Sequence, residues 1–156
     1  NYYLLVTGSA LESTYSLPSG ETFNSRFSTR FSTSYTAGRE FNFKKGRVLQ
    51  VGGRYLLNGG FRYTTFDPIL SREAGMFVPL SNDEFGEQVP AYQRIDARIA
   101  YRFNARKIAG QVSLDIQNLT NRQNARTVAY NAVDNTIELR YNSGGFTPIL
   151  AFQFDF

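Results

Sequence analysis

Arginine and aspartate recur along this chain at even spacings. Arg26 and Arg30, Arg54 and Arg62, and then Arg94, Asp96, Arg98 and Arg102 each keep one parity, and Asp115 follows on a later segment. On an extended backbone, residues two apart point to the same face, so such sets line charges along one side of a strand. The chemistry on offer is ion pairing on a wet surface, with Asp96 and Asp115 as acidic partners on neighbouring strands. Asp83, Glu84 and Glu87 form an acidic group of the residue types that serve acid–base work or calcium, but no second cluster at ligand spacing joins them. The chain has no His and no Cys. That removes His-based triads, thiolate nucleophiles, disulfides, the usual zinc sites and haem ligation. No hydroxyl has an evident base, so no catalytic residue, metal site or cofactor is expected. Asn118-Leu119-Thr120 matches a glycosylation acceptor pattern, but Asn118 and Asn121 read more simply as shaping a strand end.

Strands must position these charges. From Asn24 to Phe41 the odd positions include Phe27, Phe31 and Tyr35, against Arg26, Ser28, Arg30 and Ser32 on the even ones. Between Arg47 and Phe66, Leu49, Val51, Tyr55, Leu57, Phe61 and Tyr63 alternate with Gln50, Arg54, Asn58 and Arg62. Tyr92 to Phe103 and Gln111 to Gln117 repeat the pattern, with Ile95, Ile99, Val112 and Leu114 on the apolar parity. The opening stretch, Tyr2 to about Tyr15, begins Tyr-Tyr-Leu-Leu-Val, which leaves its facing undecided. The glycines at 46, 52, 53, 59 and 60 weaken a helix and fit a bent, closely approached strand.

The run from Phe146 to Phe156 carries the strongest signal. Leu150, Phe152, Phe154 and Phe156 alternate with Ala151, Gln153 and Asp155, so one face is nearly all aromatic. Soluble sheets cover such a face with a core, whereas outer-membrane barrels leave it to lipid. Connection lengths agree. Tight turns are expected near Lys44, Lys45 and Gly46 and over Asn104 to Ala109. Longer joins are expected over Leu17–Thr22, Asp67–Ala91 and Thr120–Gly145, with a small hairpin over Val128–Tyr141 turning at Asp134 and Asn135. Short turns at one end and long loops at the other are the barrel arrangement, and they put Phe156 and Asn1 at the periplasmic rim. A soluble sandwich also alternates and stands as the alternative.

Composition sits comfortably with this. The chain has 156 residues with 10 Tyr, 14 Phe and no Trp, and its mean hydropathy is −0.34. No run approaches the roughly 18 apolar residues of a spanning helix, but a barrel with a polar interior averages to a value like this. The net charge is +4, from basic residues spread singly rather than clustered with exposed aromatics, so a nucleic-acid partner is not expected. Asn1 opens directly onto a strand with no charged leader, which reads as part of a longer chain.

The runs YQRIDARIAYRFN, VSLDIQNLTNRQNA and GGFTPILAFQFDF, in this order, resemble the C-terminal end of TonB-dependent outer-membrane receptors, most closely the Bacteroidetes type. YYLLVTGSALESTY, NSRFSTRFSTSYTAGREF and GGFRYTTFD also look like late barrel strands of that family, so the likeness spans residues 1–156. The resemblance implies an all-β fold: about six antiparallel transmembrane strands, part of a larger, roughly 22-stranded barrel. It implies nutrient uptake in the cell outer membrane, with lipid, the remaining barrel strands and a plug as neighbours. Energy would come from the TonB system through a missing N-terminal region, and a surface lipoprotein partner would go with glycan or peptide uptake. Arg26, Arg30, Arg54, Arg62, Arg94, Asp96, Arg98, Arg102 and Asp115 would then face the lumen, in reach of acidic groups of the plug. Leu150, Phe152, Phe154 and Phe156 resemble the signal read by the barrel-assembly machinery, whose physical basis is strand addition at a free edge. A second reading makes the chain a client bound to an assembly or secretion machine, and a third makes it a small soluble β-barrel binding protein. The transported ligand is not legible.

Overall fold

The structure is a computed structural model that describes residues 1–80, 83–104, 108–141 and 144–155. The fold is all-β. In chain order the strands are β1 (Tyr2–Leu11), β2 (Thr14–Ser16), β3 (Thr22–Asn24), β4 (Arg30–Phe43), β5 (Arg47–Asn58) and β6 (Arg62–Tyr63). After helix α1 (Pro68–Ala74) come β7 (Glu87–Gln88), β8 (Tyr92–Asn104), β9 (Ala109–Gln117), β10 (Ala125–Asn131), β11 (Thr136–Tyr141) and β12 (Thr147–Asp155). Six long strands form one antiparallel sheet in the order β1-β4-β5-β8-β9-β12. The sheet is open, with β1 and β12 as its edges. No helix among the described residues is long and apolar enough to cross a membrane.

Following the strands up and down the sheet places the β4–β5 turn and the four-residue β8–β9 connection at one end. The first closes through Lys44–Gly46, where Lys45 (φ 63) and Gly46 (φ 68) are both left-handed. Residues 105–107 of the second lie outside the described residues. The three longer connections gather at the other end and carry the short elements, a region termed the cap below. β10 and β11 pair with Asn131 opposite Thr136, and Asn135 takes a φ of 54, so the hairpin forms where the Asp134-Asn135 turn chemistry places it. Helix α1 starts on Asp67, whose carboxylate accepts the Ile69 and Leu70 N–H groups at 2.9 and 3.0 Å, and it stops at left-handed Gly75.

Two strands are shorter than their alternation predicts. β4 begins at Arg30, which has a φ of 70, and the preceding Thr22–Asn24 pairs instead with Thr14–Ser16. β5 stops at Asn58. A Cβ on Gly59 or Gly60 would run into the carbonyl of Thr29 or Val89, so only glycine lets the chain leave the sheet that closely against the cap. Arg26 and Arg62 therefore sit in the cap and not on the long strands.

Register resolves the facing of every long strand, because directly opposed residues share a face. One row runs Leu4–Ala37–Gly53–Ala97–Ile116–Pro148, and another runs Tyr2–Arg39–Val51–Ile99–Leu114–Leu150. This is the apolar face. Tyr3 and Leu5 of the undecided opening strand fall on the other face, while Leu4 and Val6 join the apolar one. Among the described residues, no element packs against either side to make a core. Val48, Val89 and Ala100 are the buried apolar side chains among the described residues, while Leu4, Ile99, Leu150 and Phe152 are 73%, 44%, 60% and 60% exposed.

Candidate functional site

The polar face of the sheet assembles six of the nine charged residues expected to face the lumen. Arg54, Arg94, Asp96, Arg98, Arg102 and Asp115 all fall on it by register. Arg98 and Asp115 are directly opposed across β8 and β9, and Arg98 Nη1 lies 2.9 Å from both Asp115 oxygens. Asp96 takes Arg94 Nε and Nη2 on Oδ2 at 3.2 and 2.9 Å, and the Asn118 backbone N–H on Oδ1 at 2.9 Å. Arg54 lies opposite Asp96 but donates to the Ser34 hydroxyl at 3.1 Å. Arg102 lies opposite Gln111 and is exposed. These are wet pairs in a shallow depression of about 460 Å³ lined by Tyr3, Arg54, Arg94, Asp96, Arg98 and Asp115, among others.

The Tyr3 ring lies over Gly38 and Gly52, where any Cβ would overlap it. The paired glycines let an aromatic ring from the edge strand cover bare backbone. Asn118, left-handed with a φ of 53 and buried, closes the end of β9. Its side chain accepts the Arg122 N–H at 3.0 Å and donates to the Arg122 carbonyl at 3.0 Å. Asn121 accepts the Phe146 N–H at 3.1 Å, which starts the chain toward β12.

The remaining arginines lie toward the loops. Arg30 opens β4 opposite Leu11 and is exposed. Arg26, in the turn before it, stacks over the Phe61 ring at 5.4 Å. Arg62 is 6% exposed and holds three carbonyls: Ser28 from Nε at 3.3 Å, and Phe85 and Gly86 from Nη1 at 3.2 and 2.9 Å. The acidic group does not converge on one point. Glu84 accepts the Tyr15 hydroxyl, Glu87 pairs in register with Tyr63, and no three His, Cys, Asp or Glu residues among those described could hold a metal ion. The hydrogen bond to Glu84, then burial, then the carboxylate's charge raise the Tyr15 pKa above its ordinary value. Tyr63 is raised as well, by burial first and the charge of Glu87 second.

On the apolar face, Leu150, Phe152 and Phe154 stand opposite Leu114, Val112 and Gly110. All three are exposed, and Phe154 meets Phe103 edge-on at 6.4 Å. Phe156, the last of that row, lies outside the described residues. One apolar-face residue was not anticipated. Arg39 sits in the apolar register with its guanidinium 4.5 Å from the Tyr2 ring and 4.4 Å from the Phe41 ring, and its odd number in β4 alone signals that position.

Comparison with known proteins adds no relative. No family model matches the chain, and neither a curated protein nor a solved structure is significantly similar to it.

Proposed function

We propose that this chain supplies six adjoining wall strands of a larger outer-membrane β-barrel, of the TonB-dependent receptor type, and serves nutrient uptake as a carrier rather than an enzyme. The uncovered apolar face carries the reading. Tyr2, Leu4, Val51, Ile99, Leu150 and Phe152 are exposed on one face, interrupted in β4 by Arg39, while ion pairs occupy the opposite face. A soluble domain of this length buries about two thirds of its unfolded surface around a core. Here lipid supplies the cover that a core would.

Strand length fits the same reading. The six strands have 10, 14, 12, 13, 9 and 9 residues, against the about 9–11 needed for a tilted crossing. Short turns at one end and elaborated connections at the other match periplasmic turns and external loops. The unpaired edges of β1 and β12 call for further strands, because each unsatisfied backbone group in lipid costs several kcal/mol. The receptor class rests on the likeness of the sequence runs alone. The exposed Leu150, Phe152 and Phe154 on an unpaired edge suit capture by the assembly machinery through strand addition.

This chain has no Cys, so in a full-length protein cleared of any Cys elsewhere a single cysteine reports facing. In the full-length protein in native membranes, a fluorophore on Val51→Cys or Ile99→Cys is expected to be quenched by brominated lipid. The same label on Gln50→Cys or Arg98→Cys is expected to be quenched by aqueous iodide. Equal aqueous quenching at both faces, or recovery of the protein without detergent, sinks the reading.

A further inference from the structure

The cap contains a cleft of about 370 Å³, within the range of small-molecule sites. Its walls come from three connections: the turn before β4, the β5–β8 connection through Phe61–Thr64, Phe77 and Phe85, and the β10–β11 hairpin. Aromatic faces dominate the lining, with Tyr63, Phe77, Phe85 and Tyr130 among them. They are held by one another and by the cap. Tyr130 meets Phe77 at 6.1 Å and Phe66 at 5.1 Å, and Tyr15 meets Phe85 edge-on at 6.4 Å. Asn135 ties the hairpin to α1 through the Pro68 carbonyl at 3.0 Å.

Two cations share this lining, Arg26 and Arg62, and no carboxylate does. The ion pairs among the described residues join Arg94 to Asp96, Arg98 to Asp115 and Arg140 to Glu138, so neither cleft arginine has an acidic partner. A buried charge is ordinarily paired. Arg62 instead spends Nε and Nη1 on three neutral carbonyls, and its Nη2 has no partner among the described residues. Its positive charge is therefore hydrogen-bonded but not neutralised. Arg26 adds a second, exposed guanidinium fixed over Phe61. Two carboxylates lie close by outside the lining: Glu87, in register with Tyr63, and Asp83, which lies against Gly86.

We infer that this cleft binds a small six-membered-ring carboxylate, with the ring against the aromatic lining and the carboxylate on Arg26 and Arg62. Aromatic faces accept a flat ring or the apolar face of a sugar, and guanidinium groups bind carboxylates through charge-assisted hydrogen bonds. An acidic sugar and an aryl acid share this chemistry. The role of the ligand as cargo rests on the outer-membrane reading; the cleft itself does not.

The test is equilibrium binding of glucuronate, glucose, 4-hydroxybenzoate and phenol to the full-length protein, in whichever cell fraction holds it. The acid of one pair is expected to bind and its neutral partner to bind at least about tenfold more weakly, as for loss of one charge-assisted contact. Whether glucuronate or 4-hydroxybenzoate is retained identifies the ring. Arg26→Gln, at an exposed position, is expected to weaken the acid by about tenfold, and Glu87→Gln to tighten it. Binding of neither acid at millimolar concentration, or equal binding of acid and neutral partner, overturns the proposal. An acid affinity unchanged by Arg26→Gln overturns it too. Fractionation reads the membrane question separately: a soluble protein that binds keeps the cleft and loses the wall, and a membrane protein that binds nothing does the reverse.

Discussion

The long strands bury only Val48, Ala100 and Ser113 among their described side chains, whereas the connections bury Ser28, Arg62, Ser71, Val89, Asn118 and Asn124. Ordinary domains invert this, with strands forming the core and loops running over the surface. Most of the buried groups of the cap are polar and hydrogen-bonded, although Val89 is apolar and the buried Ser25 hydroxyl has no partner among the described residues. Arg62 holds carbonyls, Ser71 accepts the Val78 N–H at 3.0 Å, and Asn124 brackets the backbone of Gln93 at 2.9 and 2.8 Å. The cap is held together by its own hydrogen bonds. The sheet satisfies its backbone through its ladders and leaves its apolar face to the surroundings. The two regions should therefore fail under different insults.

The largest expected effect is a charge on the apolar face. Ile99→Arg should destabilise the protein in lipid by about 2–4 kcal/mol, while Gln117→Arg, on the polar face beside Asp96, should stay within about 0.5 kcal/mol. Denaturant unfolding in lipid vesicles measures both. Similar losses at the two positions would erase the distinction between the faces. Next is the cap. Arg62→Met removes three charge-assisted bonds and should loosen the cap by about 1.5–3 kcal/mol. Faster amide exchange is expected at 61–64 and 85–89, with no change in β8 or β9. Exchange rising uniformly across both regions would mean that cap and sheet are one cooperative unit.

The same division governs what could be read beforehand. The facing of β5, β8, β9 and β12 followed from period-two alternation, because a strand that separates two environments must carry it. The Val128–Tyr141 hairpin followed from local turn chemistry. The strand ends at Arg30 and Asn58 did not, since alternation runs on through Arg26 and Arg62 whether or not a partner strand is present. What stops the strands is distant: the Thr29 carbonyl against Gly59, and the Val89 carbonyl against Gly60. Arg62 likewise gains its role from residues 28, 85 and 86, far along the chain. Glycine pairs hinted at close approach without saying to what. Tyr3 over Gly38 and Gly52 was invisible until register brought β1, β4 and β5 together.

A smaller effect separates charge pairing from structure within the sheet itself. Asp115→Asn breaks the pair with Arg98, whose side chains are 49% and 29% exposed. Such a wet pair is worth about 0.2–1 kcal/mol and weakens with salt. The variant should approach wild-type stability as ionic strength rises. A deficit that persists at high salt would mean that Asp115 holds the sheet through more than its charge.

The smallest expected effect lies in the cap, at alkaline pH. Tyr63 has its pKa raised above the ordinary 10.0 by burial and then by Glu87, so the folded protein holds this proton more tightly than the unfolded chain does. The sign follows from linkage. The stabilising contribution is fully present below pH 10.0, the unfolded value, and is lost as pH rises through the folded value. Tyrosinate absorbance during an alkaline titration should show a late-ionising phenol among the 10 tyrosines. Tyr63→Phe should remove that component, and Glu87→Gln should move it part of the way back. Tyr15, raised chiefly by its hydrogen bond to Glu84, should titrate late as well and survive both changes. If all the tyrosines titrate together in the folded protein, the cap is not packed around Tyr63, and its contrast with the sheet weakens at the point where burial, rather than hydrogen bonding, sets the chemistry.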